Sequence, residues 1–181
     1  FGVWTRWRAA GRSAAATSST LRSLDGIASL APYRATRLHL LAQAETVVAA
    51  AKADALHELL SAQLADGRGD KVIIFTQFRA TQEMLAERLR GENMPCVVYH
   101  GGLSTAQKNA AIREFQDNQP ILLSTEAAGE GRNLQFCRAM VNFDLPWNPM
   151  RIEHRVGRIN RVGQDRPVEI FNLAAQRTIE G

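Results

Sequence analysis

The chain has 181 residues, a formal net charge of +4, 45% hydrophobic residues and 22% charged ones. That is room for one α/β domain with an extension, and the composition is that of an ordinary globular protein. The mild basicity permits a polyanionic partner without requiring one, and no apolar run reaches the length of a membrane span.

Cys96 and Cys137 lie far apart, each in an apolar run, and read as buried thiols of a reducing compartment. The sequence has no C-x-x-C and no paired His/Cys cluster, so no metal ligands are assigned.

Residues 1–24 hold four arginines, many Ala, Ser and Thr, and no Asp or Glu, a composition similar to an organelle transit peptide. The alternative is a disordered or non-native leader, since the first residue is Phe1 rather than Met. With a break near Leu30–Pro32 and no sustained apolar period before it, residues 1–32 are expected to be a low-complexity, disordered leader.

Residues 33–66 are expected as a helical extension. The segment from Tyr33 to Leu64 is rich in Ala, Leu, Glu and Gln, and Leu56, Leu59, Leu60 and Leu64 form one apolar stripe. A glycine-rich turn, Asp66 to Asp70, ends it. Residues 67–181 then alternate. Lys71–Phe75 is a β-branched apolar run and predicts a buried strand; Ala80–Arg90 is amphipathic and is stopped by Gly91. Cys96–Tyr99 predicts a second strand. Ser104–Phe115 predicts a helix opened by a capping box between Ser104 and Gln107. Pro120–Ser124, Ala139–Phe143 and Val168–Leu173 predict three further strands, with a helix over Met150–Val162. Apolar strands alternating with helices imply an α/β fold: a parallel sheet with helices on both faces, whose ligands bind at the carboxyl ends of the strands.

The residues after those strands carry the chemistry. Ser124 to Gln135 reads STEAAGEGRNLQ. Gly129 and Gly131 flank Glu130 and let backbone approach an anion or a sugar, although a plain glycine turn fits equally well. His100-Gly101-Gly102 reads as a phosphate contact or a tight turn. The DLPWNP segment, Asp144 to Pro149, is a rigid loop that holds Trp147 for stacking or for core packing.

The stretch Arg151 to Arg166 holds five arginines in sixteen residues. On a helix, Arg151, Arg155, Arg158 and Arg161 fall within a wedge of roughly 120°, with His154 beside them. Ile152, Val156 and Ile159 form the adjoining face and are expected to pack on the sheet. Guanidinium forks gathered in this way suit phosphate, from either a duplex backbone or a nucleotide.

Taken together, KVIIFTQF (71–78), ILLSTEAAGEGRNLQ (121–135), NFDLPWNP (142–149) and EHRVGRINRVGQ (153–164) resemble the C-terminal RecA-like lobe of superfamily-two helicases. The closest resemblance is to the Swi/Snf-like branch of double-stranded-DNA translocases, which includes the bacterial RNA-polymerase-associated ATPase. It covers about Ala51 to Gly181. Glu153, Gly157 and Asn160 depart from the commonest Swi/Snf form of the last motif.

The resemblance implies a RecA-like sheet and assigns roles by position. Arg158 and Arg161 match arginine fingers on the γ-phosphate of ATP. Gly129, Glu130 and Gly131 match positions near the nucleotide, and Gln164 matches a position that orders the loop of the arginine motif. Gln77, Phe78, His100, Gly101, Ser124, Thr125 and Trp147 match nucleic-acid contacts, and Arg155 matches a position that sets motif geometry. ATP with Mg²⁺ would be bound mainly by an N-terminal RecA-like lobe, because the sequence holds no G-x-x-x-x-G-K-[ST] and no Asp-Glu pair after a strand.

Both ends of the chain read as cut. The expected function is therefore the C-terminal lobe of an ATP-dependent translocase, inactive as an ATPase without its other lobe. The alternatives are a stand-alone nucleic-acid-binding module and a non-functional fragment. Expected partners are double-stranded DNA, the N-terminal lobe, and RNA polymerase or other DNA-bound proteins, with no membrane, in a bacterial cytoplasm at the nucleoid.

Overall fold

The computed structural model describes residues 3–10, 34–65, 70–125, 134–146, 148–160 and 167–175. In chain order the elements are β1 (Val3–Ala10), α1 (Arg34–Ala65), β2 (Val72–Thr76), α2 (Arg79–Gly91), β3 (Cys96–Tyr99), α3 (Thr105–Asp117), β4 (Ile121–Thr125), β5 (Ala139–Asn142), α4 (Pro149–Ile159) and β6 (Val168–Ala175). The strands form one six-stranded sheet in the order β1-β6-β5-β2-β4-β3. Every pairing is parallel.

The strands read as continuous apolar runs because both faces of the sheet are covered. Alternate residues go to opposite sides. Val72 and Ile74, with Ile121, Leu123, Val141, Phe171 and Leu173, meet Leu56, Leu59 and Leu60 of α1 and Leu85 and Leu89 of α2. Ile73 and Phe75, with Leu122, Met140 and Ile170, meet Phe115 of α3 and Ile159 of α4. The leucine stripe on α1 and the Val156/Ile159 part of the α4 face thus point where their spacing placed them; Ile159 is fully buried, Val156 packs against the same cluster, and Ile152 is half-buried.

The capping box forms. Ser104 Oγ accepts from the Gln107 backbone N–H at 3.3 Å, and Gln107 Oε1 accepts from the Ser104 N–H at 2.9 Å. Cys137 is fully buried, whereas Cys96 is only half-buried. Among the described residues no helix is long and apolar enough to cross a membrane.

Two expectations need correction. The leader was expected to lack order throughout, yet Val3–Ala10 is a strand paired in register with Val168–Ala175. These eight residues join a partner far along the chain, which a local composition cannot reveal; residues 11–33 lie outside the described residues. The second concerns α4, which was expected to reach Val162 and ends at Ile159. Asn160 leaves the helical region at φ −106°, ψ 114°.

Candidate nucleic-acid and nucleotide site

After the edge strand β1, the chain lays down β2, adds β3 and β4 on one side of it with β4 innermost, then crosses back to place β5 and β6 between β2 and β1. Such reversals leave a crevice outside the carboxyl ends of the strands. Here an open cleft of about 450 Å³ lies there. Gln77, Phe78 and Arg79 reach it from the end of β2, Gly101 and Gly102 from the end of β3, Thr125 from the last position of β4, and Arg151 from the first turn of α4.

Four residues expected to contact nucleic acid therefore share one wall: Gln77, Phe78, Gly101 and Thr125. Phe78 is 63% exposed, a large cost for an aromatic ring unless something stacks on it. It stands at the N-cap of α2 but contributes no side-chain cap. Gln77 is tied down, its amide donating to the Leu145 carbonyl at 2.7 Å.

His100 flanks Gly101. Its imidazole packs over Gly102, where a Cβ would come 3.2 Å from Nδ1 and the ring would have to give by a few tenths of an ångström. Partial burial, followed by the Arg79 cation, holds the His100 pKa below its ordinary 6.5; Glu83 opposes the shift and Lys108 adds to it.

Ser124 does not line the cleft. Its side chain is fully buried, and Oγ donates to the Thr125 carbonyl at 2.6 Å. Thr125, its neighbour, is 9% exposed and lines the cleft.

The arginine wedge divides. Arg151 is exposed at the cleft, while Arg155 is 4% exposed, with its guanidinium 4.8 Å from the centre of the Phe75 ring. Arg158 is half-buried in the last turn of α4, and its carbonyl accepts from the Leu134 N–H at 3.2 Å. Because the helix stops at Ile159, helical spacing no longer places Arg161 on this wedge. Arg161, Gly129, Glu130, Gly131, Gln164 and Trp147 lie outside the described residues. Among the described residues no three His, Cys, Asp or Glu side chains come together as a metal site.

One residue was missed from sequence. Gln82 is fully buried beneath the cleft. Its Nε2 donates to the carbonyls of Tyr99 (2.8 Å) and Leu123 (2.9 Å), and its Oε1 accepts from Arg79 Nη1 (3.1 Å). It joins α2 to the end of β3 and the middle of β4 and bonds to a cleft arginine. A lone glutamine at a buried helical position was the available signal.

A parallel sheet with this order, a crevice at its strand ends and an arginine-bearing helix beside it define a RecA-like helicase lobe. The chain belongs to the helicase conserved C-terminal domain family, whose model matches residues 51–163. It is 50% identical over 111 residues to the ATP-dependent helicase YqhH of Bacillus subtilis strain 168, covering 61% of this chain and 20% of that protein. It is 39% identical over 118 residues to the RNA polymerase-associated protein RapA of Yersinia pestis strain Pestoides F, covering 63% of this chain and 12% of that one. The chain thus spans a fifth or less of the length of these relatives. Among solved structures, the SWI2/SNF2 ATPase core of Sulfolobus solfataricus in complex with double-stranded DNA superposes with a TM-score of 0.68 at 24% identity, over 95% of this chain and 41% of that one. The C-terminal part of the Fun30 ATPase domain gives 0.67 at 20% identity, over 91% and 62%. These two likenesses establish the fold.

Proposed function

We propose that this chain is the C-terminal lobe of an ATP-dependent double-stranded-DNA translocase, which supplies a nucleic-acid track and arginine fingers to a nucleotide held mainly by an N-terminal RecA-like lobe. The observation that carries this reading is the cleft, where Gln77, Phe78, Gly101 and Thr125 meet beside Arg79 and Arg151. Hydroxyl, exposed backbone and guanidinium groups along one groove are what a phosphate backbone requires. The Sulfolobus relative, bound to double-stranded DNA, supports duplex DNA as the ligand.

Arg158 and Arg161 are proposed to face the γ-phosphate, where guanidinium forks stabilise charge that builds as the phosphoryl group transfers. Gly129, Glu130, Gly131 and Gln164 are proposed beside the nucleotide, and His100 and Trp147 beside the DNA. No described residue is assigned to Mg²⁺, since no carboxylate cluster is present among them. On this reading the chain alone hydrolyses no ATP, and it works at DNA in the bacterial cytoplasm. RNA polymerase is proposed as a partner through the likeness to RapA alone.

The test mixes the chain with a separately produced N-terminal RecA-like lobe and measures DNA-stimulated ATP hydrolysis. Arg158→Ala and Arg161→Ala are each expected to lower the rate by about 10³-fold. A rate left intact removes the finger assignment. A duplex affinity of the chain that does not change between low and moderate salt removes the track.

A further inference from the structure

Between α4 and the cleft, a continuous line of polar side chains crosses the sheet. Arg155 Nη1 donates to Asn142 Oδ1 at 2.6 Å and approaches the Asp144 carbonyl at 3.3 Å. Asn142, fully buried in β5, donates to Asn172 Oδ1 of β6 at 2.8 Å. Asp144 continues the line: its Oδ2 accepts from the buried Thr76 hydroxyl at 2.6 Å and from the Gln77 backbone N–H at 3.2 Å. The latter contact falls just past the last paired residue of β2.

Packing alone does not call for this. Buried polar chains are commonly no more stabilising than apolar side chains of the same volume, and their effect is to fix one arrangement. Here the arrangement fixed is the exit of the chain from β2, where Gln77, Phe78 and Arg79 turn into the cleft. Neither Thr76, Asp144 nor Arg155 lines that cleft, so each acts on it only through its neighbours.

We propose that Asp144, through Thr76 and the Gln77 N–H on one side and through its Arg155-bound carbonyl on the other, is the positioning residue that locks the Gln77–Arg79 edge of the cleft to the helix carrying Arg158. The two then move as one body when that helix shifts. The proposal rests on the nucleic-acid reading of the cleft.

The experiment measures affinity of the full chain for a fluorescein-labelled DNA duplex by anisotropy across a salt series, well below each variant's melting temperature. Thr76→Val and Asp144→Ala are expected to weaken binding about fivefold to tenfold, the effect of losing hydrogen bonds to a charged group. The salt slope is expected to stay unchanged, because no phosphate-neutralising cation is lost. Asp144→Asn, whose amide oxygen can accept both bonds, is expected to stay within about twofold of the parent. Arg155→Lys keeps the charge but removes the Nη1 that donates to both Asn142 and Asp144, and its effect is expected to combine with Thr76→Val to less than the product of the two. Arg151→Ala serves as reference, lowering the slope by about one.

Wild-type affinity in Thr76→Val and Asp144→Ala, with Arg151→Ala impaired, overturns the positioning role and leaves the cleft reading standing. An unaffected Arg151→Ala overturns the cleft reading itself. Equal losses in Asp144→Asn and Asp144→Ala overturn the proposal too, since they would point to charge rather than to the bonds. Should Asp144→Ala fail to fold, Thr76→Val, which loses a single hydroxyl, decides the matter.

Discussion

Replacing Gln82 with leucine keeps the volume of a fully buried side chain and removes its three hydrogen bonds. The carbonyls of Tyr99 and Leu123 then face an alkyl group instead of an N–H. Each orphaned buried acceptor costs about 1–3 kcal/mol, and because a carbonyl carries two lone pairs the low end applies. The total is about 2–3 kcal/mol, which for a chain of this size lowers the melting temperature by roughly 4–12 °C. Urea and thermal unfolding followed by circular dichroism measure it.

Gln82→Glu sharpens the test. Its carboxylate would face two carbonyl oxygens in a dry site, so its folded pKa is pushed above the unfolded value. A raised folded pKa contributes stability below the unfolded pKa, and this is lost as pH rises through the folded pKa. The glutamate variant is therefore expected to be less stable than the leucine variant at pH 7, with the gap narrowing toward pH 5 as the acid takes up a proton and can donate. A leucine variant within about 0.5 kcal/mol of the parent, the range of ordinary surface substitutions, would refute the account of Gln82 as a tie between α2 and strands β3 and β4.

Two further outcomes follow from titratable groups. Burial pushes the Cys137 thiol up to about 12, and it donates to the Lys71 and Ala139 carbonyls, so a thiol reagent at pH 8 should label Cys96 alone in the folded chain and both cysteines in urea; early labelling of Cys137 would contradict its burial. The His100 imidazole is expected to titrate below 6.5 in the free chain by NMR and to move upward when duplex DNA binds. Because that folded pKa is depressed, its contribution to stability is present above 6.5 and is lost as pH falls through the folded value; a titration at or above 6.5 in the free chain would refute the partial burial of the ring beside Arg79.

Much of the framework was legible because it depends on local pattern. Apolar runs such as Lys71–Phe75 located the buried strands, and the Ser104/Gln107 pair located a helix start through bonds made within one turn. Leu56, Leu59 and Leu60 announced the face that α1 buries. The misses share a different cause. β1 is rich in Val, Thr and Trp, a strand composition, but its status depends on β6 at the other end of the chain. Helical spacing put Arg151 and Arg155 on one wedge. It could not foresee that Phe75 and Asn142 lie under Arg155, leaving one arginine at the cleft and the other in the interior. Ser124 and Thr125 looked alike as hydroxyls, and only their places at the strand end separate them: Thr125 lines the cleft, while Ser124 Oγ is bonded to the Thr125 carbonyl. Asp144 read as part of a rigid loop, because its partners Thr76 and Gln77 lie 68 and 67 residues away.

The pairing of β1 with β6 bears on how this chain can be handled. β1 is the outermost strand on its side of the sheet. β6, just inside it, reads VEIFNLAA, with Glu169 its only charge. Uncapped parallel edges invite other chains, and charged residues on the last strand discourage them. A version trimmed to begin at α1 would look tidier by composition, yet it would leave eight mostly apolar residues with unpaired backbone along the rim. Residues that resemble a disposable tag would then govern whether a preparation stays monodisperse.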